Sequence, residues 1–530
     1  VRLPFTISFS EDNALYFVER VQRGRPKRDH MLENEELIEY AKEQHIPLPT
    51  GHLPARMEMF ALQNDAAKYL KFYHFCPDRE VLSRAIRCFY ASVDLSITTT
   101  LTFEEAVLKM DLTKSPGYPW NIGYQNKHLA LLDNYGIVRG VVDQILSGQP
   151  VCYEFRGVTY RSVYWYMSPK GEIRERSKVV NEDRSKIKTR TFMCGDLIMQ
   201  IVGLMLYKNQ NDEMHVGAAG RQFSAIGISK QYGGWDDLAK VLLSDDYGQA
   251  SDPNQVKFDC FDCKHMEASL GPEVQSIIYE LRNSYLVSKH LTDHELDNLK
   301  RFYFDNLCYG VIVGLEGEIF MKFGKNPSGG FNTADDNTLA LDLAFWYFTC
   351  KEFPTIPQAL AHRMFNIVKG YGDDSVARAC AAYRRCLTDA DEIGFEFTIE
   401  SFGSLLEGST FLSNVFHFDR NWKKWIAIPN YDKLRASLYY DFKEKNWPLV
   451  WAKTCALRTL CWHNKEIVRE TDRIFDFIEK EHSRELILGD PKRQFDLLSM
   501  KSMKLDALTC DMLTYGVSNE SLYCALGPVN

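Results

Sequence analysis

Long apolar runs are missing from this sequence. Crossing a bilayer takes about 20 consecutive apolar residues. The two best stretches, residues 197–207 and 339–350, are shorter, and Asp342 interrupts the second. A secretory leader is not expected, because the chain starts Val1-Arg2-Leu3-Pro4 with charges soon after. The missing initiator Met fits either release from a longer precursor or trimming. Paired cysteine spacing is also absent: 14 cysteines are scattered along a chain of 530 residues, too large to need staples, which favours a reducing compartment. One close pair, Cys260 and Cys263, lacks a second pair to complete four zinc ligands. Positions three apart on a strand face opposite sides, so buried thiols are expected there. Internal repeats and low-complexity linkers are lacking too, which leaves one multi-lobed unit. Finally, there is no excess of positive charge: 63 Lys and Arg stand against 71 Asp and Glu, a formal net charge of −8. A nucleic-acid enzyme of this composition needs a local basic channel within an acidic shell.

The chain is longer than the roughly 250–300 residues at which a single core stops growing, and its 45% hydrophobic residues supply several cores. Helical patterns are expected at residues 35–44 and 78–93. Residues 111–195 carry Pro, Gly, aromatics and clustered basic groups. Residues 255–420 alternate short apolar strands with helical patterns. Beyond 421 the spacing is helical, at 431–440, 452–470 and 472–484, with a shorter, less periodic tail at 505–530.

Within 255–420 lies the most informative stretch, Gly370-Tyr371-Gly372-Asp373-Asp374-Ser375, between two apolar strands. Gly372 permits a tight bend, and the turn projects adjacent carboxylates that suit a hard cation such as Mg²⁺. A solvated hairpin would look the same locally, and Asp-Asp pairs also occur at 236–237, 245–246 and 335–336. A second strand-to-turn segment, residues 257–270, brings Asp259, Asp262 and Glu267. Two-metal phosphoryl transfer needs acidic residues from separate strands, because the ions sit roughly 3.5–4 Å apart. A third segment, residues 324–337, reads as a flexible Pro-Ser-Gly-Gly loop leading into a buried helix, with Thr333 and Asn337 four apart on one face. A fourth, residues 178–190, places Arg184, Lys186, Lys188 and Arg190 within seven residues, an electrostatic clamp for phosphates.

Together these segments resemble the RNA-dependent RNA polymerases of picornavirus-like positive-strand RNA viruses, over about residues 113–466 and in the family's order. Tyr371-Gly372-Asp373-Asp374 is similar to motif C. Ser328-Gly329, Thr333 and Asn337 are similar to motif B, SGxxxTxxxN, and residues 261–270 to motif A. There Asp262 is favoured over Asp259 as metal ligand by the Ala268-Ser269-Leu270 ending. Residues 113–120, with Ser115, Gly117 and Pro119, resemble motif G, the template-entry loop. Residues 178–190 resemble a shortened motif F, and residues 410–416, with Phe411 and Leu412, resemble motif E, which grips the primer. Leu460-Cys461-Trp462-His463-Asn464 resembles part of a thumb helix.

The resemblance implies an α+β right-hand fold with an antiparallel palm sheet: fingers at 1–195 with an insertion at 276–321, palm at 196–275 and 322–420, and a helical thumb at 421–530. It implies catalysis with two Mg²⁺, or Mn²⁺ in substitution, held by Asp262, Asp373 and Asp374. It implies nucleotide binding by Arg184, Lys186, Lys188, Arg190, Glu267, Ser328, Thr333 and Asn337, and template or primer contacts at Ser115, Gly117, Pro119, Gly329, Phe411 and Leu412. Template and product RNA, nucleoside triphosphates, a genome-linked protein primer and other viral replication proteins are the implied partners. Host cytoplasmic membranes, reached through partners, are the implied location. Initiation stays open between a peptide-linked primer, an oligonucleotide primer and none.

Two departures stand out. Glu267 occupies a position where the family usually has Asp, keeping the charge that helps read the ribose 2′-hydroxyl with Asn337 but reaching one methylene further. Motif D, around 391–398, is usually followed by a Lys that protonates pyrophosphate. Here no Lys lies between Gly370 and Lys423, and Glu400 stands near that position. Arg384, Arg385, His417 and water are the alternatives for that proton, and the role is left unassigned.

Overall fold

Alternating side chains along Phe258-Asp259-Cys260-Phe261-Asp262-Cys263 build the strand that organises this molecule. Phe258 and Cys260 enter one apolar cluster with Trp235, Phe411 and Phe416, while Phe261 and Cys263 enter another with Phe345 and Phe397. A strand buried on both faces belongs at the centre of a sheet. In the computed structural model, which describes residues 15–20, 33–71, 73–218, 220–228, 230, 233–244, 252–440 and 447–481, Phe258–Cys263 lies inside a four-stranded sheet. Asp374–Arg378 pairs with it on one side and Phe397–Ser404 on the other, and Val368–Tyr371 completes the order beyond Asp374–Arg378, every pair antiparallel. The outer hairpin edge is covered by residues 223–225: Gly370 N–H donates to Phe223 O at 2.9 Å, and Ala225 N–H to Gly370 O at 2.9 Å.

Beneath the sheet runs the helix Thr333–Glu352, apolar on nearly every side and buried from Asp335 to Cys350, as a helix through the centre of a large domain must be. It packs on Arg79–Ser92, which Asp78 caps by accepting from Glu80 N–H and Val81 N–H at 2.9 and 3.0 Å. Trp346 Nε1 donates to Ser92 Oγ at 2.9 Å and Arg84 Nη2 to Cys350 O at 3.1 Å. So this helix, inside the segment read as fingers, shares one core with the four-stranded sheet.

A second sheet has the order Leu15–Arg20, Glu318–Lys322, Val311–Val313, Tyr164–Pro169, Thr191–Gly195. It joins the first 195 residues to 311–322, with one parallel pair between Val311–Val313 and Tyr164–Pro169. The helix Leu197–Val216 contributes its first half to the same core.

The C-terminal part is helical: Tyr431–Tyr439, Trp447–Leu460 and Lys465–Glu481. Periodicity alone places a break near 471; the structure breaks the helices at 461–464 instead. Asn464 Oδ1 accepts from Glu466 N–H at 3.1 Å and Ile467 N–H at 3.3 Å, an N-cap that starts a new helix. Leu460 therefore ends one helix, and Cys461-Trp462-His463-Asn464 is a junction rather than helix. The N-terminal helix Glu35–Glu43 docks here, Tyr40 stacking on Phe477 at 4.3 Å. The tail at 505–530 and the end of the helix expected at 472–484 lie outside the described residues.

Candidate active site

Cross-strand pairing brings the carboxylates together. Asp374 sits directly opposite Asp262, and opposed residues on antiparallel strands share a face with Cβ atoms about 5 Å apart. Tyr371 pairs with Asp374, which leaves Gly372 and Asp373 as a two-residue turn. Gly372 takes φ 64°, a conformation that disfavours any side chain. Two bonds fix this turn. Gly372 N–H donates to Thr338 Oγ1 at 2.8 Å, and Cys263 N–H to Asp373 O at 2.8 Å. The second holds the turn against the end of the strand that carries Asp262.

Like charges at close range disfavour ionisation. Burial, then Asp373 and Glu400, push Asp262 up to about 6, against the pull of Arg190 and Lys264. Asp374 rises to about 7, chiefly by burial, although Leu412 N–H donates to its Oδ2 at 2.5 Å. Among the described residues its Oδ1 is buried without a partner. Asp373, at the exposed tip, is raised first by desolvation, with Glu267 adding and Arg190 and Lys170 opposing. An orphaned carboxylate oxygen beside crowded carboxylates, all hard oxygen donors, fits Mg²⁺. Among the described residues no three His, Cys, Asp or Glu side chains form a closed metal-holding group. Mg²⁺ does not require one, since it is commonly bound by one or two carboxylates plus substrate phosphates and water.

Asp259 points to the opposite face and is fully buried. Arg384 Nε donates to its Oδ2 at 2.8 Å and Nη2 to its Oδ1 at 3.1 Å, and Gly403 N–H adds a bond at 2.7 Å. That resolves the two registers: Asp262 faces the other acids, and Asp259 is neutralised. Arg384 is thereby committed, Arg385 is held by Glu352 and Asp389, and His417 by Glu407. Glu400 accepts from Thr410 Oγ1 at 2.8 Å. None of the four is presented as a free acid for pyrophosphate.

The basic segment divides. Arg190 interacts with Asp373, Glu267 and Glu172 and pulls Asp262 down, so its guanidinium belongs to the carboxylate site. Lys188 lies within electrostatic reach of His265. Arg184 and Lys186 are exposed; Arg184 stacks over the Phe60 ring at 4.3 Å, and Lys186 approaches Asp183 at 3.9 Å. Asn64 Nδ2 holds the segment by donating to Arg184 O and Ile187 O at 2.8 and 2.9 Å.

The loop read as flexible at 324–332 is pinned. Gly329 N–H donates to Met193 O at 2.8 Å, and a Cβ there would lie 2.4 Å from that oxygen, so glycine is needed for close approach. Thr333 Oγ1 donates to Pro327 O at 2.6 Å, and Asn337 Oδ1 accepts from Asn326 Nδ2 at 2.8 Å. The shared face of Thr333 and Asn337 thus serves to grip the loop. Ser328 Oγ is buried without a well-formed bond, beside the Tyr69 hydroxyl. Glu267 Oε1 accepts from Lys68 Nζ at 2.6 Å.

Of the template and primer candidates, Ser115 is exposed while Gly117 and Pro119 are buried, next to Trp120, whose Nε1 donates to Asp196 Oδ1 at 3.2 Å. Phe411 is fully buried with Trp235, so its side chain holds the turn from within, and Leu412 reaches the site through its backbone N–H. Sequence reasoning missed Thr338 and Lys68. Neither belongs to a local pattern, and each meets its partner across a long stretch of chain.

Comparison with known proteins agrees with this geometry. Residues 87–459, more than half of the chain, match the family model for viral RNA-dependent RNA polymerase. The genome polyprotein of Plum pox potyvirus (isolate NAT) is 23% identical over 417 residues, covering 77% of this chain and 12% of that protein. The non-structural polyprotein 1AB of Turkey astrovirus 1 is 24% identical over 355 residues, covering 62% of this chain and 20% of the polyprotein. The chain thus spans between about a tenth and a fifth of the length of these relatives. Among solved structures, the Sicinivirus 3Dpol RNA dependent RNA polymerase superposes with a TM-score of 0.65 at 14% identity, covering 92% of this chain and 99% of that one, which establishes the right-hand fold. The chain belongs to the viral RNA-dependent RNA polymerases.

Proposed function

We propose that this enzyme copies a viral positive-strand RNA genome by two-metal phosphoryl transfer, with Asp262 and Asp373 as the principal metal-holding residues and Asp374 assisting. The observation that carries the reading is the Asp262–Asp374 cross-strand pair beside the Asp373 turn, three carboxylates all raised above their ordinary range. Two Mg²⁺, or Mn²⁺ in their place, would supply an activated primer 3′-hydroxyl and neutralise charge on the transferring phosphorus. Arg190, with Lys188 behind it, orients the triphosphate toward the carboxylates, and Arg184 and Lys186 attract it from the exposed side. Glu267 and Asn337 read the ribose, and template pairing sets the sequence. A genome-linked protein primer, other replication proteins and attachment to host cytoplasmic membranes belong to the same reading.

Primer extension on a defined RNA template with Mg²⁺ or Mn²⁺ tests it. The wild type extends according to template sequence, and Asp373→Asn loses extension while keeping its fold. Extension that survives the substitution would move the metal site elsewhere.

A further inference from the structure

Glu267 is one methylene longer than the Asp usual at its position, and a glutamate free to choose its rotamers would lose conformational entropy on being ordered against a sugar. The structure removes that freedom with a residue outside the polymerase motifs. Lys68, in the short helical turn Ala67–Leu70, donates from Nζ to Glu267 Oε1 at 2.6 Å, and the Tyr69 hydroxyl lies 3.5 Å from the same oxygen. Both contacts fall on Oε1, which leaves Oε2 as the uncommitted acceptor among the described residues. The two side chains of the ion pair are only 7% and 17% exposed, so the attraction is less screened than at a surface.

Lys68 is itself held. Its Nζ lies 3.2 Å from Asp65 Oδ2, which accepts from Thr191 N–H at 2.7 Å and Thr191 Oγ1 at 2.9 Å. Thr191 directly follows Arg190, the cation that interacts with Glu267 and Asp373. On its other side, the Glu267 carbonyl accepts from Asn326 N–H at 2.8 Å, and Asn326 Nδ2 holds Asn337. One hydrogen-bonded chain therefore runs from the end of the basic segment through Asp65 and Lys68 to Glu267, and on to Asn337. Lys68 lies outside residues 87–459, the span that matches the family model.

We infer that Lys68 is a positioning residue for sugar selection: it fixes the Glu267 carboxylate so that Oε2 meets the 2′-hydroxyl of the incoming nucleotide. The inference rests on the proposed ribose-reading role of Glu267. Its test compares NTP with dNTP incorporation as the ratio of kcat/KM values for wild type, Lys68→Met, Glu267→Gln and the double variant. Lys68→Met lowers the ratio about tenfold, the scale of one hydrogen bond to a charged group, and Lys68→Arg restores most of it. The double variant discriminates no worse than Glu267→Gln alone. A purely structural role would lower NTP and dNTP incorporation together and leave the ratio unchanged, which would overturn the inference. So would a double variant that discriminates distinctly worse than Glu267→Gln. If Lys68→Met fails to fold because Asp65 and Glu267 are left without their cation, Lys68→Gln, which keeps an N–H donor between the two carboxylates, gives the same reading: a lowered ratio supports the inference and an unchanged ratio overturns it. A Glu267→Gln ratio equal to wild type would instead remove the ribose-reading role itself.

Discussion

Two aspartates three positions apart on one strand, Asp259 and Asp262, have opposite fates. Asp259 is fully buried, yet a bidentate Arg384 and a backbone N–H satisfy it. Asp262 is less buried, but it faces Asp374 across the sheet and Asp373 at the turn, and it is pushed up to about 6. Burial is therefore not what separates an answered carboxylate from a crowded one here. The difference lies in who answers the charge: a protein cation on one face, other carboxylates on the other. Arg190 and Lys264 answer the crowded acids only in part, and that residual crowding is the feature on which the proposed metal site rests.

The largest expected effect separates these two fates. Asp262→Asn should cut primer extension on the order of 10³-fold, the scale of several kcal/mol of lost charge stabilisation, while leaving thermal stability equal or slightly higher because a like charge is gone. Asp259→Ala should do the reverse. Removing Asp259 strips Arg384, whose side chain is one-third exposed, and the Gly403 N–H of their acceptor, a cost of about 1–3 kcal/mol, so its melting temperature falls while the folded fraction keeps near-normal kcat. Urea melts alongside extension rates read both. A stability loss at Asp262 matching that at Asp259 would break the comparison.

How much of this was legible beforehand follows from range. The Gly-Asp-Asp turn and the motif A strand are local patterns, and their alternation already assigns Asp259 and Asp262 to opposite faces. The fold class was equally legible, because six motifs in order identify a family whose architecture the structure shares. Packing direction was not legible. Phe411 carries a motif match, but it points into the core with Trp235, and nothing in five residues of sequence says which side of a hairpin is wet. Thr333 and Asn337 were read as a functional face; their partners, Pro327 O and Asn326, lie in the loop they follow. The helix Arg79–Ser92 enters the same core because a helix buried over sixteen consecutive residues, 335–350, needs cover on every side, a demand visible only once Thr333–Glu352 is in place. Thr338 and Lys68 were missed for the same reason.

Thr338 offers a smaller effect that sharpens the comparison, since it holds the crowded turn without charge. Valine in its place keeps the shape but leaves Gly372 N–H without an acceptor, a cost of about 1–3 kcal/mol. With the turn loosened, Asp373 is displaced from Asp262, and kcat should fall about tenfold, since 1.4 kcal/mol is a factor of ten in rate. Thr338→Ser, which retains the hydroxyl, should recover most of it. Equal rates for Thr338→Val and wild type would mean that the Cys263–Asp373 backbone bond alone fixes the turn.

The smallest effect concerns Asp196, the intermediate case: a fully buried carboxylate with donors but, among the described residues, no cation. It accepts from Trp120 Nε1 at 3.2 Å and caps the helix Leu197–Val216 through Ile198 N–H at 2.8 Å, while its Oδ2 has no partner. Burial pushes it up to about 7 against these bonds. The sign of the pH effect follows. Between its ordinary value of 3.8 and about 7 the folded chain keeps a proton that the unfolded chain has released, so this group's contribution to stability is greatest at low pH and is lost as pH rises through 7. Asp196→Asn, which is neutral at every pH and still offers an oxygen to Ile198 and Trp120, should remove that slope: its melting temperature relative to wild type rises by a few degrees between pH 5 and pH 8. A difference that stays flat over this range would mean that the two hydrogen bonds offset burial completely. Asp196 would then join Asp259 among the answered carboxylates, and the crowded trio would stand as the sharper exception.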